Sequence, residues 1–425
     1  MYTQETKVAV YPFSRQAEGE EVVIGRVDTG VFLALPPDAI EILDTLAAGE
    51  TVGQAQEIYR QKYGMVPEIQ ELLEFLETKG FVRPGGGGAE PAAGAAAGPG
   101  VAANVPQQQK YHFTNIPQSL AQALFGPAAL VVAILLVVLA AVAVYREPEL
   151  TPQRSAMIFH HDRTVMMLCL VLLGYTTVFF HEMGHLLAAR ARGVSSRLGI
   201  SRRMWVLVAE TDMTGLWSVP KRQRYLPMLG GPLVDVTSAA TMLLVLFAAD
   251  RHWISLWVPV AEVMRAMTFL YLMRLLWQCF FFVRTDFYYV IASFFGCKSL
   301  MQDTEMYIQN QLRRLLVPGR PLVDQGHLPP AELRVVRAYA WVWGVGRLLA
   351  LTALIFFTIP VMYRYSVIAW KAVAVGPAAG YYAFFDAVFT FFFVILPVLL
   401  GLSWWISSLV KRGRTVADAK RAYAT

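Results

Sequence analysis

Charge is scarce in this chain. Of 425 residues only 16% are Asp, Glu, Lys or Arg, while 56% are hydrophobic and the mean hydropathy is +0.44. A water-soluble protein of this length needs more charge to cover its surface, so the composition predicts a polytopic membrane protein. Cysteine is scarce too. Cys169, Cys279 and Cys297 lie in or beside apolar runs, which excludes a disulfide framework and a C-x-x-C metal knuckle. There is no internal repeat. The start lacks the order of a cleavable signal peptide: Met1 to Asp28 is polar and mixed in charge, and is expected to belong to a folded domain. The net charge of +6 would suit nucleic acid. The basic residues, however, flank apolar runs, which membrane topology explains better, and no nucleic-acid partner is expected.

What the chain does have is Phe179-Phe180-His181-Glu182-Met183-Gly184-His185, an H-E-x-x-H sequence at the end of an apolar run that starts near Val165. On a helix His181 and His185 are one turn apart on one face, so two imidazoles can bind one metal ion. Glu182 then sits beside the ion, able to take a proton from water. A hydrolase motif inside a membrane-length helix is a narrow combination.

Residues 1 to about 83 read as a small α+β domain. Lys7-Val-Ala-Val-Tyr-Pro-Phe and Glu21-Val-Val-Ile-Gly-Arg-Val read as strands, and Asp28-Thr29-Gly30 as a turn leading into Val31-Phe-Leu-Ala-Leu. Three helices follow, over 37–46, 51–63 and 67–79, with Thr51 as an N-cap and Gly80 ending the last. A generic winged helix that binds DNA is one reading, but Glu41, Asp44, Glu57, Glu68, Glu71, Glu74 and Glu77 give these helices an acidic face that phosphate would repel. Residues 84–109, rich in Gly, Ala and Pro, are expected to be a flexible linker reaching about 25–30 Å on average.

Six membrane helices are expected on length and apolarity, at about 119–145, 164–189, 229–249, 255–283, 338–363 and 381–410, with a soluble loop between the fourth and fifth. Lys and Arg crowd the loops after the second and fourth and the tail, from Arg190 to Arg224, from Arg284 to Arg337 and from Lys411 to Arg421. The positive-inside bias therefore puts both termini, both long loops and the HEMGH end of its helix on the cytoplasmic side.

Two histidines leave a metal site short of a third protein ligand. Asp286, directly after the expected fourth span, is the candidate. A carboxylate at that depth needs a partner, which a metal, Arg284 or the start of a helix could each provide. His160-His161-Asp162 is open to two readings, a metal site or a solvated loop. Arg265 is expected to pair with Glu262, and Arg274, set deeper, could balance Asp235. The stretch from Gly193 to Leu226, with Met204-Trp205-Val206-Leu207, could supply edge strands to a substrate or form a surface hairpin.

Two resemblances add to these readings. Residues 1–83 resemble the PqqD-type peptide-recognition domain, a winged-helix-like fold, through Val31-Phe-Leu-Ala-Leu, Ala39-Ile-Glu-Ile-Leu, Thr51-Val, Tyr63-Gly64 and Leu73 to Val82. The resemblance implies capture of a precursor's leader peptide as an added strand. Residues from about 119 to 410 resemble the site-2 protease superfamily of intramembrane zinc metalloproteases, most nearly its bacterial peptide-processing members. Four segments carry this: Phe180-His-Glu-Met-Gly-His-Leu, Glu210-Thr-Asp-Met-Thr-Gly-Leu-Trp with Pro220-Lys-Arg-Gln-Arg, Gly230-Gly-Pro-Leu-Val-Asp235, and Asp286-Phe-Tyr-Tyr. The resemblance implies that His181, His185 and Asp286 bind Zn2+, that Glu182 is the general base, and that Gly231, Pro232 and Asp235 contact substrate. It also implies a bacterial inner-membrane location.

The chain departs from that pattern twice. Phe287 stands where the family has glycine, so a different turn around Asp286 is expected. Asp235 stands where many members have asparagine, and an ionised carboxylate has no amide hydrogen to donate to a substrate carbonyl. The expectation is an intramembrane zinc endopeptidase that acts on a peptide or membrane-associated precursor, in maturation or export of a ribosomally made modified peptide. Two alternatives are a regulatory site-2-like protease of a membrane-anchored signalling protein and a non-proteolytic membrane component that binds or exports peptides.

Overall fold

The computed structural model describes residues 2–19, 21–26, 28–85, 113, 115–159, 163–297, 299–317, 319, 321–326, 328–376 and 380–422. The expected linker, beyond residue 85, and the His160-His161 pair lie outside the described residues. The chain forms two compact units. One joins residues 1–116 with 192–197 and 212–224; the other holds 117–191, 198–211 and 225–425. The first unit thus includes two short segments from the middle of the chain, beyond the expected domain end at 83.

In the first unit, β2 (Ser14–Glu18), β3 (Glu21–Arg26) and β4 (Val31–Leu35) form an antiparallel sheet in the order β2-β3-β4. Ile24 is buried in the core, with Val22 and Leu33 packed against it. β1 (Val8–Val10) pairs antiparallel with β5 (Val82–Pro84), a pairing of the two ends of the domain that no local pattern announces. The helices are α1 (Pro37–Ala47), α2 (Val52–Tyr63) and α3 (Ile69–Thr78). Thr51 caps α2 as expected, in a full capping box with Gln54: each side chain serves the other's backbone amide. Gly64 closes α2 at φ 71°, a left-handed turn that glycine adopts freely. Ile24, Leu43, Leu46, Leu73, Leu76 and Phe81 are the centre of one core.

The second unit is helical: α4 (Gln118–Leu124), α5 (Pro127–Arg146), α6 (Arg163–Ala191), α7 (Lys221–Asp250), α8 (Val258–Trp277), α9 (Asp286–Phe295), α10 (Leu300–Leu316), α11 (Pro330–Ala353), α12 (Ile359–Val375), α13 (Tyr381–Thr390) and α14 (Leu396–Ala422). Among the described residues, five segments are long and apolar enough to cross a membrane: 118–146, 165–191, 221–250, 330–375 and 384–408. Six were expected. The expected fourth span is not among the five: α8 is 20 residues long and carries Glu262, Arg265 and Arg274. Arg265 faces Asp250 at 3.4 Å rather than the expected Glu262. The region expected to be a soluble loop holds α9 and α10, which share a core with α11 through Tyr288, Leu300, Met301, Val336 and Tyr339.

Between α6 and α7 lies a two-stranded sheet of β6 (Arg197–Arg203) and β7 (Val206–Asp212). Its tip is anchored. Met204 turns at φ 56°, and Trp205 is buried with Val283 and Leu354 and meets Trp405 at a ring distance of 5.6 Å. Gly401 admits that tip: a Cβ there would lie 1.9 Å from the Trp205 carbonyl oxygen. Trp405 is half-buried in that cluster.

Candidate metal centre

The centre is built on the meeting of α6 and α7. Gly184 and Gly230 face each other with no side chain between: a Cβ on Gly184 would fall 2.5 Å from the Gly230 oxygen, and one on Gly230 would fall 2.5 Å from the Gly184 oxygen. Backbones this close bring the His181 and His185 face of α6 against the main chain of α7.

Each imidazole then finds an acceptor on α7. His181 Nδ1 lies 2.8 Å from Asp235 Oδ2, and His185 Nδ1 lies 2.8 Å from the Pro227 carbonyl oxygen. A carbonyl and an ionised carboxylate only accept, so both Nδ1 atoms donate; in the neutral imidazoles both Nε2 atoms then keep their lone pairs. Pro227 sits inside α7, and its ring denies the helix one internal hydrogen bond.

Asp286 completes the group. His181 Nε2 lies 3.2 Å from His185 Nε2 and 3.1 Å from Asp286 Oδ2, and His185 Nε2 lies 3.2 Å from Asp286 Oδ2. With both imidazoles neutral, three lone-pair atoms converge, an arrangement that a metal ion or a proton between them relieves. Asp286 opens α9 and is pinned from the end of α8. Gln278 accepts from the Asp286 amide at 3.0 Å through its side chain, and from the Thr285 hydroxyl at 2.7 Å through its carbonyl. Phe287 is helical, and the left-handed residue of this turn is Arg284 at φ 58°. The missing glycine therefore imposes no strain at position 287. Arg284 does not claim the carboxylate; its Nε lies 3.2 Å from Met301 Sδ.

The residues fit a metal. His181, His185 and Asp286 could hold one ion, with donor atoms within 4.8 Å of one another and the histidines buried. Two imidazoles and a carboxylate with further positions open is a donor set used for catalytic zinc. Gly231 supplies the room: a Cβ there would stand 2.4 Å from His185 Nε2 and 2.5 Å from His181 Nε2, in the space beside the two donors.

Glu182 is buried beside the histidines. Its Oε2 and its carbonyl oxygen lie 2.8 Å and 3.1 Å from the Thr211 hydroxyl, which donates from the end of β7. Asp235 is fully buried with both oxygens engaged, Oδ2 by His181 and Oδ1 by Arg274 Nη1 at 3.1 Å.

The sequence named His181, Glu182, His185, Asp286, Asp235 and Gly231, and all six lie in this region. Pro232 follows Gly231 on α7. Sequence reasoning missed Gln278, Thr211, Thr177 and Pro227. Thr211 sat inside a segment already singled out; the others carry no pattern. Compared with family models, curated proteins and solved structures, the chain matches none of them.

Proposed function

We propose that this chain is an intramembrane zinc endopeptidase that hydrolyses a peptide bond in a peptide or membrane-associated precursor, in maturation or export of a ribosomally made modified peptide. One observation carries the reading: the three converging lone-pair donors with a buried glutamate alongside, on a helix long and apolar enough to cross a membrane. The four motif segments support placing it with the site-2 proteases. With α8 crossing as a sixth span, the Lys- and Arg-rich loops support an inner-membrane setting with both termini cytoplasmic.

In this reading His181, His185 and Asp286 hold the ion. Zinc, when bound, supplies Lewis acidity toward the scissile carbonyl and the attacking water. Glu182 takes the proton of that water and delivers it to the leaving amine. Thr211 fixes which way the Glu182 carboxylate points. A helical substrate hides its peptide bonds in internal hydrogen bonds and must be unwound first. The edges of the β6–β7 sheet offer backbone amides and carbonyls that would hold it extended. Residues 1–83 would capture the leader in the same manner.

The test is Glu182→Gln. Full-length protein with this change is expected to keep its metal and lose about 10²–10⁴ in cleavage rate. Processing that persists with metal bound sinks the peptidase reading and leaves the non-proteolytic peptide-binding alternative. For the leader role, deletion of residues 1–83 is expected to abolish binding of the leader, and unchanged affinity would sink it.

A further inference from the structure

The resemblance gives Asp235 a role in touching substrate, yet nothing of its carboxylate is left to reach one. Its side chain is 0% exposed. Oδ2 accepts from His181 Nδ1 at 2.8 Å and Oδ1 accepts from Arg274 Nη1 at 3.1 Å. Arg274, from α8, goes further. Nη1 also donates to the Thr177 carbonyl at 2.6 Å, and Nη2 donates to the Thr177 hydroxyl. That hydroxyl in turn donates to the Gly174 carbonyl at 2.9 Å. Thr177 lies one turn before His181 on α6. The guanidinium therefore spans from the helix that carries His181 to the carboxylate that orients it.

We propose that Asp235 and Arg274 are a positioning pair that fixes the His181 ring for metal binding, with Arg274 clamping Asp235 against Thr177. This rests on the metal-centre reading above.

The residue types follow from the hydrogen-bond roles. Position 235 faces two donors, His181 Nδ1–H and an Arg274 N–H. An aspartate offers two acceptor oxygens; an asparagine offers one, and would turn its NH2 toward a donor. Position 274 must reach two acceptors on Thr177 and one on Asp235, which a planar fork of five N–H groups can do and a single ammonium does less well. The pairing also answers a cost. A carboxylate and a guanidinium removed from water each need a partner, and here each is the other's. An imidazole ligand whose outer N–H is held by a carboxylate keeps its ring angle and its tautomer, and loss of such a holder costs about 10–100-fold in metal affinity.

The experiment measures Co2+ affinity of the purified full-length protein by chelator competition, together with the visible spectrum of the bound Co2+, and needs no substrate. Arg274→Gln and Asp235→Asn are each expected to weaken Co2+ binding about 10–100-fold and to shift its spectrum. The double variant D235N/R274Q is expected to recover at least tenfold of that loss. There the asparagine oxygen still accepts from His181 and its NH2 donates to the glutamine oxygen. A structural role alone would lower stability without shifting the visible spectrum of the Co2+ that is bound. If one single variant is too unstable to purify, the other, which leaves the opposite charge unpaired, is compared with the double variant, which buries neither charge. Single variants that bind Co2+ as tightly as wild type overturn the inference and leave the metal centre standing. A wild-type chain that binds no Co2+ overturns both.

Discussion

Thr211 holds Glu182 by both its ends, with one hydroxyl placed 2.8 Å from Oε2 and 3.1 Å from the main-chain oxygen of the same residue. The hydroxyl has a single hydrogen, so it favours one acceptor at a time and keeps the carboxylate turned toward β7. A strand and a candidate base are thereby joined in one contact.

Thr211→Val keeps the shape and removes the donor. Leaving the buried oxygen unsatisfied costs about 1–3 kcal/mol, which corresponds to roughly 5–150-fold. Cleavage by the full-length protein is expected to fall within that range with metal content unchanged, and Thr211→Ser to restore most of it. Activity and metal content falling together would show that Thr211 holds the fold of the centre rather than the angle of Glu182.

Gly231→Ala is expected to abolish metal binding while the protein still folds. The added methyl would stand 2.4 Å from His185 Nε2 and 2.5 Å from His181 Nε2. The readout is bound metal per chain by elemental analysis, with far-UV dichroism to confirm the helices. Full occupancy in this variant would place the ion elsewhere.

Within the first unit, Arg224 has a side chain only 1% exposed, paired with Glu18 at 3.0 Å, and its guanidinium lies 4.7 Å from the centre of the Trp217 ring. Removing one partner leaves a charge without its counter-ion. Glu18→Ala is expected to destabilise this unit by on the order of 2–3 kcal/mol, less than a fully enclosed pair because Glu18 keeps some solvent contact. The double variant E18A/R224M is expected to recover part of that. Chemical unfolding followed by tryptophan fluorescence measures both.

Asp212 gives a pH dependence outside the membrane spans. Burial raises its pKa, but the Thr214 hydroxyl and amide and the Arg197 guanidinium outweigh that and hold it below the ordinary 3.8. A carboxylate depressed on folding stabilises the fold fully above its unfolded value and loses that contribution as pH falls through its folded value. The native protein is therefore expected to melt higher than D212N at about pH 5, with the gap closing as pH drops below 3.8. A gap independent of pH would remove the charge from the explanation.

Much of the site was legible because its information is local. H-E-x-x-H places two candidate ligands by helical spacing alone, and Thr51 with Gln54 announces a helix start through residues three apart. Asp286 could be named but not seated. Its seat depends on Gln278, eight residues earlier, where side chain and carbonyl both turn back to the start of α9. Asp235 was read by analogy as a substrate contact and, separately, as a charge that Arg274 could balance; the 3.1 Å contact bears out the second. α8 was read as a span from its apolar residues, while its Arg274 reaches out to Thr177 and Asp235 on neighbouring helices. Long-range pairings such as β1 with β5 carry no local mark at all.

The bare contact of Gly184 with Gly230 has a further consequence, for access. With neither residue bearing a side chain and each oxygen against the other backbone, the seam between α6 and α7 has no width. A lipid tail or a peptide cannot part it without breaking the two helices away from each other and carrying the Pro227 and Asp235 anchors from the histidines. Whatever reaches the centre comes by another face, and that seam acts as its fixed rear wall.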